Sequence, residues 1–461
     1  MGFIVIFPAI YCAYIAMRRS PAIAFVDVYI PVLLLLPEYY RFVIPVLPDP
    51  TFSQAAIIPV AGLFLTRDMK SWKYSLMDFF VVAFALIIGV SEYTNAGYNE
   101  AQNLLFDMIG SFVLPYIAAK GLIEPKGMRV PFAKRFAFLL FAISVVSLYE
   151  FKMGSTPWEM LMNRFFPGQA DGWITTFRYG FARIAGPYGH AILACLIITV
   201  GFRIQRWLEW CGYWEPTFKM MPWLKIPKAR IMTLMLMLGM VMTLVRGPWM
   251  GGIAGAVITG AGLAKNRKLG LLAIAGGLIV IGVPAGAMFY AYASVGRAAA
   301  KTDSQETAAY RKELLDKYTD IAVERSYLGW GRNTWPKVGG MPSIDNYYLL
   351  LALMHGFIAD GLLISMIFIM PYRLIRFEMS RPRPAVRGSS LGFTLAGIYV
   401  AYGVTIATVF MGLTATPVFA VMTGWAEGYL LNADTTQAAA GTVAAAPVAS
   451  ASKFHFRRVM A

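Results

Sequence analysis

Two polar stretches of the chain carry the side chains best suited to chemistry, and arginine is prominent in both. The longer stretch, residues 294–346, separates two apolar runs, and Asp345 is the carboxylate at its end. The shorter one, Arg246-Gly-Pro-Trp249, stands alone between two other apolar runs. Fixed cations stabilise an anion that develops during a reaction, and a carboxylate can accept a proton. We therefore expect the two stretches to form the walls of one active site.

Arg246 lies next to the predicted start of a helix. Pro248 suits the first turn of that helix, because the missing N–H of proline costs nothing there. The unpaired N–H groups of a helix N-terminus and the planar fork of an arginine together bind anions well. An arginine that merely extends its charge to the membrane interface is equally compatible with these four residues.

Asp345 stands where the chain enters an apolar segment, beside Asn346 and Tyr347. A carboxylate at the edge of a membrane helix is costly unless it is paired or hydrated. It is therefore a candidate general base that a neighbouring amide and cations could orient. Taken alone, the residue is more often structural at such a position, and the tyrosines also fit an interfacial aromatic belt. Three other residues are alternatives for the base: Asp320, Glu324 and His190.

A third cluster precedes another apolar run. It reads Arg178-Tyr-Gly-Phe-Ala-Arg183 and continues with Gly186-Pro-Tyr-Gly-His190. Two arginines at the entry of a membrane helix more often anchor the helix at the interface than bind a substrate. A histidine there is more often buried and hydrogen-bonded than catalytic. By themselves these residues favour a structural role.

The composition is that of a membrane protein. Of 461 residues, 58% are hydrophobic and only 14% are charged, whereas about 25% charged residues is typical of soluble proteins. Many apolar runs approach the ~20 residues that a helix needs to cross a bilayer, and the alternating segments of a barrel are not the pattern. We predict an all-α polytopic membrane protein. Its net charge of +16 fits basic cytoplasmic loops better than nucleic-acid binding, for which we find no motif.

Hydropathy predicts twelve or thirteen transmembrane helices, because the first and third apolar runs are short. The spans are 2–17, 22–36, 54–66, 75–92, 104–120, 136–149, 187–202, 231–245, 249–264, 269–293, 347–370, 389–412 and 415–431. Of the 41 basic residues, 27 fall in alternate connections, which we place in the cytoplasm. This assignment puts the N-terminus outside and the C-terminus inside. The segments 37–53, 93–103, 150–186 and 294–346 fall outside, as does Arg246.

The stretch 294–346 contains a helix of its own. Thr302-Asp-Ser-Gln-Glu306 has a capping residue followed by an acid, which is typical of a helix start. The helical pattern continues to about Ser326, and Gly329-Trp-Gly331 is predicted to end it. One face of this helix holds Arg311, Leu315, Tyr318 and Ala322.

The chain is predicted to form one transmembrane domain, 1–431, and a disordered cytoplasmic tail, 432–461, whose small residues cannot build a core. The three cysteines are too far apart to indicate a disulfide, and no metal motif is present. Several acids lie in or near apolar runs without cationic partners on their own helices. We interpret these as members of structural pairs or as cavity linings: Asp27, Asp78, Asp107, Asp360 and Glu427.

Three segments together resemble the O-antigen ligase and Wzy-type polymerase family of membrane glycosyltransferases. Leu244-Val-Arg-Gly-Pro-Trp249 is similar to the family's Ser-Arg-Gly-x-Trp pattern between two helices. Arg311 on a helix of a large loop, followed by Leu328-Gly-Trp-Gly-Arg332, is the second likeness. Ser343-Ile-Asp-Asn-Tyr-Tyr-Leu349 with His355-Gly-Phe-Ile-Ala-Asp-Gly361 is the third. The likeness covers residues 175–370, and it departs from the family at Val245, where Ser or Thr is common, and at Asp345, where ligases have histidine.

The resemblance implies a GT-C-like fold with one large, partly helical periplasmic loop, in the bacterial cytoplasmic (inner) membrane. It implies a glycosyl transfer without metal or cofactor, from a glycan on undecaprenyl diphosphate. Arg246 and Arg311 would hold the diphosphate and stabilise the leaving group, and Asp345 would accept the proton of the acceptor hydroxyl. Further phosphate or sugar contacts would come from Arg178, Arg183, His190, Arg325, Arg332, Asn346 and Tyr347. A chain-length regulator protein is a candidate partner, and nucleic acid is not expected.

Several functions remain alternatives. The Asp-Asn pair at Asp345 resembles polymerases more than ligases, which would move the glycan to lipid A core or to protein. A secondary transporter or a lipid-linked glycan flippase would show internal repeats, broken helices and paired charges near the middle of the membrane. The outward grouping of polar residues favours an enzyme, and Gly251, Gly252 and Gly255 indicate close helix packing instead. A membrane scaffold without chemistry is the last alternative.

Overall fold

The structure, a computed structural model, describes residues 2–43, 48–169, 175–218, 226–341, 343–382, 390–412 and 414–444. About three quarters of the chain is helical, as the apolar runs predicted. The two strands of the described ranges form a small antiparallel hairpin, in which β1 (Phe177–Arg178) pairs with β2 (Phe181–Ala182).

Fifteen helices, counted over the described ranges, build the fold. In chain order they are α1 (Gly2–Arg18), α2 (Pro21–Leu35), α3 (Phe52–Arg67), α4 (Leu76–Ala96), α5 (Tyr98–Leu122), α6 (Arg129–Met153), α7 (Pro157–Met162), α8 (Ala191–Trp210), α9 (Lys228–Met242), α10 (Arg246–Leu263), α11 (Arg267–Ala293), α12 (Asp303–Glu324), α13 (Tyr347–Met379), α14 (Leu391–Ile406) and α15 (Ala415–Ala444). A π-helical turn lies within each of α2, α5 and α11. Every predicted span overlaps one of these helices, with ends that differ by up to several residues, as between 389–412 and Leu391–Ile406.

Six helices of the described chain are long and apolar enough to cross a membrane: α4, α5, α6, α8, α11 and α13. Four shorter apolar helices accompany them: α1, α2, α3 and α14. The prediction of a helical protein with several possible membrane spans is confirmed at this level. The finer count of twelve or thirteen spans stays a prediction.

α13 is broken at Gly356, inside a stretch that the sequence predicted as one continuous span. Gly356 has φ 78° and ψ 172°, a conformation that essentially only glycine adopts. A straight helix of the 33 residues of α13 would be about 50 Å long, well beyond the ~30 Å hydrocarbon core of a bilayer. The break divides α13 into a short first part, 347–355, and a longer second part, 357–379.

α15 also differs from its prediction. It extends to Ala444 rather than ending at 431, so the predicted start of the tail at 432 falls within a helix. Residues 445–461 of the predicted disordered tail lie outside the described residues.

α10 and α14 pack backbone against backbone, as the small-residue pattern predicted. A Cβ atom added to Gly255 would lie 2.2 Å from the carbonyl oxygen of Gly397, and one added to Gly397 would lie 2.5 Å from that of Gly255. Only small residues allow helices to approach so closely. This contact fixes α10, whose first residue is Arg246.

The acids in apolar runs are paired across helices or buried, as interpreted from the sequence. The pairs are Asp27–Arg135, Asp78–Lys120, Asp107–Arg41 and Glu427–Arg373. Asp360 is buried, and its Oδ1 has no hydrogen-bond partner among the described residues. These charges therefore hold helices together or lie in the interior rather than forming one shared site.

The segments predicted to lie outside meet at one face of the helical bundle. The contacts that join them are Gln169 with Arg41, Arg178 with Leu244, Arg246 with Ser304, and Arg332 with Glu100. The side of the membrane that this face occupies stays a prediction.

Candidate active site

The outer helix, α12, is the element on which the site is assembled. Its N-terminus is capped as predicted, because Thr302 Oγ1 accepts a 3.2 Å bond from the N–H of Gln305. The helix ends at Glu324, close to the predicted end at about Ser326. A turn follows it, and Gly329 closes this turn with a φ of 65°. The glycines also serve a second contact, described below.

One face of α12 rests on the start of α13. Tyr318 and Ala322 are buried there, as predicted. Leu315 was expected on the same face but is 43% exposed, whereas Leu314 is 1% exposed. Both leucines have helical spacing from Arg311. Leu314 is the buried one because the segment before α13, which contains Met341 and Ile344, packs on its side of the helix. Leu314 packs in one cluster with Met341, Ile344, Leu349, Ala352 and Leu353.

Arg311 is half-buried at the edge of this packed face. Its Nε is buried without a hydrogen-bond partner among the described residues. No carboxylate of the described chain lies within ion-pairing distance of it. Buried polar groups normally have partners, so this guanidinium is available to bind an anion.

Arg246 is the first residue of α10, and it reaches the outer helix directly. Its Nη1 donates a 2.9 Å bond to Ser304 Oγ, and its Nη2 lies 3.5 Å from the hydroxyl of Tyr179. No side chain caps the N-terminus of α10. The predicted combination of an arginine and unpaired N–H groups at a helix start is therefore present.

Arg178 and Arg183 hold the turn that precedes Arg246. Arg178 Nη1 donates a 2.8 Å bond to the carbonyl of Leu244, and Arg183 Nε donates a 3.3 Å bond to that of Thr243. Leu244 has φ 52°, a left-handed conformation that is unfavourable for a leucine. Both arginines satisfy carbonyls just beyond α9, as basic side chains often do at helix ends. They therefore position Arg246, in addition to any contact with a substrate.

Asp345 is tied to the outer helix through Ser343. Ser343 Oγ donates a 3.1 Å bond to Asp345 Oδ1, and the hydroxyl of Tyr310 donates to the carbonyl of Ser343. Tyr310 precedes Arg311 on α12. Two consecutive hydrogen bonds therefore link Asp345 to Tyr310, the residue next to Arg311 on the outer helix.

His190 lies within electrostatic range of the same carboxylate. Its Nδ1 accepts a 3.2 Å bond from the N–H of Ile192, so the ring caps α8. Burial first, and the charge of Arg183 second, lower the pKa of His190 below 6.5, while the charge of Asp345 acts in the opposite direction. The neutral ring is therefore favoured, and a structural role accounts for this histidine as the sequence suggested.

Asn346 and Tyr347 begin α13. The side-chain oxygen of Asn346 accepts bonds from the N–H groups of Tyr348 and Leu349 at 3.1 and 3.3 Å, so Asn346 is the helix cap. Tyr347 lines a cavity between the helices. Asn346 therefore fixes the start of α13 directly after Asp345.

Hydrogen bonds tie both the start of α10 and the chain before α13 to the outer helix. Arg246 bonds Ser304, and Tyr310 bonds Ser343, which bonds Asp345. His190 lies within electrostatic range of Arg183 and Asp345, and Arg183 bonds the turn that leads to Arg246. The residues brought together are Arg178, Arg183, His190, Arg246, Arg311 and Asp345.

Arg325 and Arg332 lie elsewhere on this face. Arg325 Nη1 donates to Asn95 Oδ1 at 2.7 Å, and Arg332 Nη2 bonds Glu100 at 2.9 Å. The backbone N–H of Arg332 also donates to the buried carboxylate of Glu92. Both side chains are therefore engaged by α4 and α5, and the structure does not bring them to the Asp345 group.

Two of the family-like motifs pack directly against each other. The N–H groups of Trp330 and Gly331 donate to the carbonyls of Leu353 and Met354, and Phe357 N–H donates to the carbonyl of Ser326. These bonds satisfy backbone groups that the break at Gly356 would otherwise leave unpaired. The glycine-rich segment 328–332 thus stabilises the first part of α13, which carries Asp345 at its start.

A polar cavity of about 190 Å³, which was not predicted from the sequence, has Tyr347 in its wall. Glu38 and Arg41, from the connection between α2 and α3, line it together with Gln54 and Asp107. Asp107 was noted only as a scattered acid. One signal in the sequence could have indicated Glu38. It is a carboxylate beside an apolar run, the one that ends at Leu36, just as Asp345 adjoins an apolar run.

In the part of the chain that the structure describes, no group of three or more His, Cys, Asp or Glu side chains could hold a metal ion. Among the arginines of the site, Arg246 and Arg311 are suited to hold a charged ligand, because neither pairs with a carboxylate of the described chain and neither is used to bond a backbone carbonyl there.

Comparison with known proteins gives no assignment. The chain matches no protein-family model, and no curated protein matches it significantly. The geometry of the site and the likeness of its motifs therefore carry the functional argument.

Proposed function

We propose that this protein is a bacterial polysaccharide polymerase of the O-antigen or exopolysaccharide type. It would transfer a glycan from undecaprenyl diphosphate to a lipid-linked repeat unit at the periplasmic face of the inner membrane. The observation that carries the proposal is the convergence on one helix of two arginines without carboxylate partners and one carboxylate. The motifs that resemble the ligase and polymerase family include these three residues.

The two arginines suit a diphosphate. Arg246 bonds Ser304 in the first turn of α12, and Arg311 is seven residues farther along the same helix. Seven residues make about two helical turns, so both positions share a face and lie about 10 Å apart along the axis. Guanidinium groups bind phosphate oxygens with two parallel bonds, and this separation lets the two arginines hold a diphosphate and the adjoining sugar.

Asp345 suits the proton transfer. In the proposed step the acceptor hydroxyl oxygen forms a bond to the anomeric carbon while the bond from that carbon to the phosphate oxygen breaks. The hydroxyl proton passes to Asp345, and undecaprenyl diphosphate leaves with the electron pair. Arg246 and Arg311 stabilise the charge that develops on the leaving group.

The distribution of basic residues and the surroundings of the break in α13 favour an enzyme over a transporter. The strongly basic connections alternate along the chain with the segments that form this site, which favours an outward-facing site. A transporter would use a broken helix to line a binding cavity. The break at Gly356 is instead covered by the backbone of residues 326–331.

A complementation experiment tests the proposal. A strain that lacks the gene receives wild type, Arg246→Ala, Arg311→Ala or Asp345→Asn, with the exposed Arg164→Ala as the matched control. Protein levels in the membrane are equalised by blotting, polysaccharide length is read on gels, and lipid-linked repeats are measured by mass spectrometry.

We expect the three site variants to lose long polymer and to accumulate single lipid-linked repeats, while Arg164→Ala behaves as wild type. Normal polymer from all three variants would refute the site. If the variants instead accumulate long lipid-linked polymer that is never transferred, the protein is a ligase rather than a polymerase.

A further inference from the structure

The cavity beneath Tyr347 lies at the same face of the bundle as Asp345. It has a volume of about 190 Å³ and is lined by residues of α3, α4, α5 and α13 and of the connection from α2 to α3. Tyr347, which forms part of its wall, is two residues from Asp345 along the chain. The wall of the cavity is therefore joined through Asn346 to the residue that we propose as the base.

Glu38 is the polar group of this cavity that the fold leaves partly unsatisfied. It is 5% exposed, and its Oε2 accepts a 2.7 Å bond from Thr51 Oγ1. Its Oε1 is buried and accepts no well-formed hydrogen bond from a described residue. The only described donor near it is the hydroxyl of Ser53, which has no other partner among the described residues. Burial raises the pKa of Glu38, and the Ser53 hydroxyl lowers it by less. Buried carboxyl oxygens normally have a donor, so this one can accept a bond from a ligand hydroxyl.

The charges of the lining exclude a phosphate. Arg41 is the one cation of the lining, and it is already engaged by Asp107 through two bonds of 2.9 and 3.3 Å. Gln54 Nε2 donates a further 2.8 Å bond to Asp107. Two carboxyl groups and one paired guanidinium repel an anion, in contrast to the unpaired arginines near α12.

The remaining wall is suited to a hydroxyl-rich ring. Ser111, Thr416 and Tyr347 add hydroxyl groups, and Phe84 and Phe112 add aromatic surface. Pockets that bind small molecules combine an apolar wall with a few convergent polar groups. The volume far exceeds the ~30 Å³ of a water but leaves no room for a polyprenyl chain.

We propose that this cavity binds a neutral sugar ring, the terminal residue of the acceptor glycan. The inference rests on the proposed function, and it assigns Glu38, Arg41, Gln54 and Asp107 to the acceptor side of the site. The arginines of α10 and α12 form the separate, anionic donor side.

Binding measurements on the purified full-length protein in nanodiscs test this division. One probe is undecaprenyl diphosphate without sugar. The other is the oligosaccharide that mild acid releases from polyprenyl-linked glycans of the host, which carries no diphosphate. Titration calorimetry compares wild type, Glu38→Ala, Tyr347→Phe and Arg246→Ala, with the exposed Glu306→Ala as the control carboxylate.

We expect Glu38→Ala to weaken oligosaccharide binding at least tenfold and Tyr347→Phe to weaken it severalfold. Both variants should bind undecaprenyl diphosphate as wild type does, which also shows that they are folded. Arg246→Ala should show the reverse pattern, and Glu306→Ala should change neither.

Oligosaccharide binding that is absent in wild type, or unchanged in both cavity variants, would overturn the acceptor assignment. Undecaprenyl diphosphate that fails to bind wild type would instead overturn the proposed function. The two failures are therefore distinguishable.

Discussion

Replacement of Gly356 by alanine is expected to destabilise the protein strongly. At φ 78° and ψ 172°, a residue with a side chain costs about 1–3 kcal/mol. The new Cβ atom would also lie 2.1 Å from the carbonyl oxygen of Tyr327, and overpacking of this kind typically adds about 1–3 kcal/mol. The sum, about 2–6 kcal/mol, is a large share of the 5–15 kcal/mol by which proteins are normally stable.

Gly361 offers a matched control on the same helix. No atom lies within 4 Å of a Cβ added there, so Gly361→Ala should stabilise α13 by about 0.5–1 kcal/mol. Both variants would be purified in the same detergent, and thermal unfolding would be followed by tryptophan fluorescence. We expect a midpoint several degrees lower for Gly356→Ala and unchanged or higher for Gly361→Ala. Equal midpoints for the two variants would show that the break at Gly356 is not held by the 326–331 backbone.

Two further predictions concern residues around the site. The pKa of His190 is lower in the folded protein than its ordinary 6.5, so the folded state binds a proton less readily, and stability is lost as the pH falls below about 6.5. His190→Asn retains a capping side chain without this titration, so its thermal midpoint should fall less than that of wild type between pH 7.5 and 5.5; an equal fall would remove His190 as the cause. Arg332→Ala loses only a partly exposed pair with Glu100, worth about 1 kcal/mol or less, so polymer formation should stay within about fivefold of wild type. A loss as complete as that in Arg311→Ala would mean that Arg332 reaches the substrate after all.

Local signals account for what the sequence predicted correctly. Apolar runs located the helices, and the Thr302 cap located the start of α12, because both depend on residues close in the chain. Arg246 was placed beside a helix start for the same reason. The resemblance also named Asp345 and Arg311, which the structure connects through Tyr310 and Ser343.

Long-range pairing explains what the sequence could not supply. Arg325 has the appearance of a free cation in the sequence because its partner, Asn95, lies 230 positions earlier. Asp107 looked isolated because Arg41 is 66 positions away. The break at Gly356 depends on the segment 326–331. The apolar run around Gly356 looks like that of any glycine within a continuous helix, so the break could not be predicted from it. Hydropathy reads composition along the chain and carries no information about such partners.

The dependence of the site on α12 has a geometric consequence. Ser304, which bonds Arg246, and Tyr310, which bonds the chain before Asp345, lie six residues apart on one helix. The distance between the arginine end of the site and its carboxylate end is therefore set by the number of residues between Ser304 and Tyr310. One inserted residue would rotate Tyr310 by about 100° relative to Ser304 and separate the two ends, whereas seven would restore the orientation but lengthen the spacing by about 10 Å. The length of the outer helix therefore sets the distance between the two ends of the site.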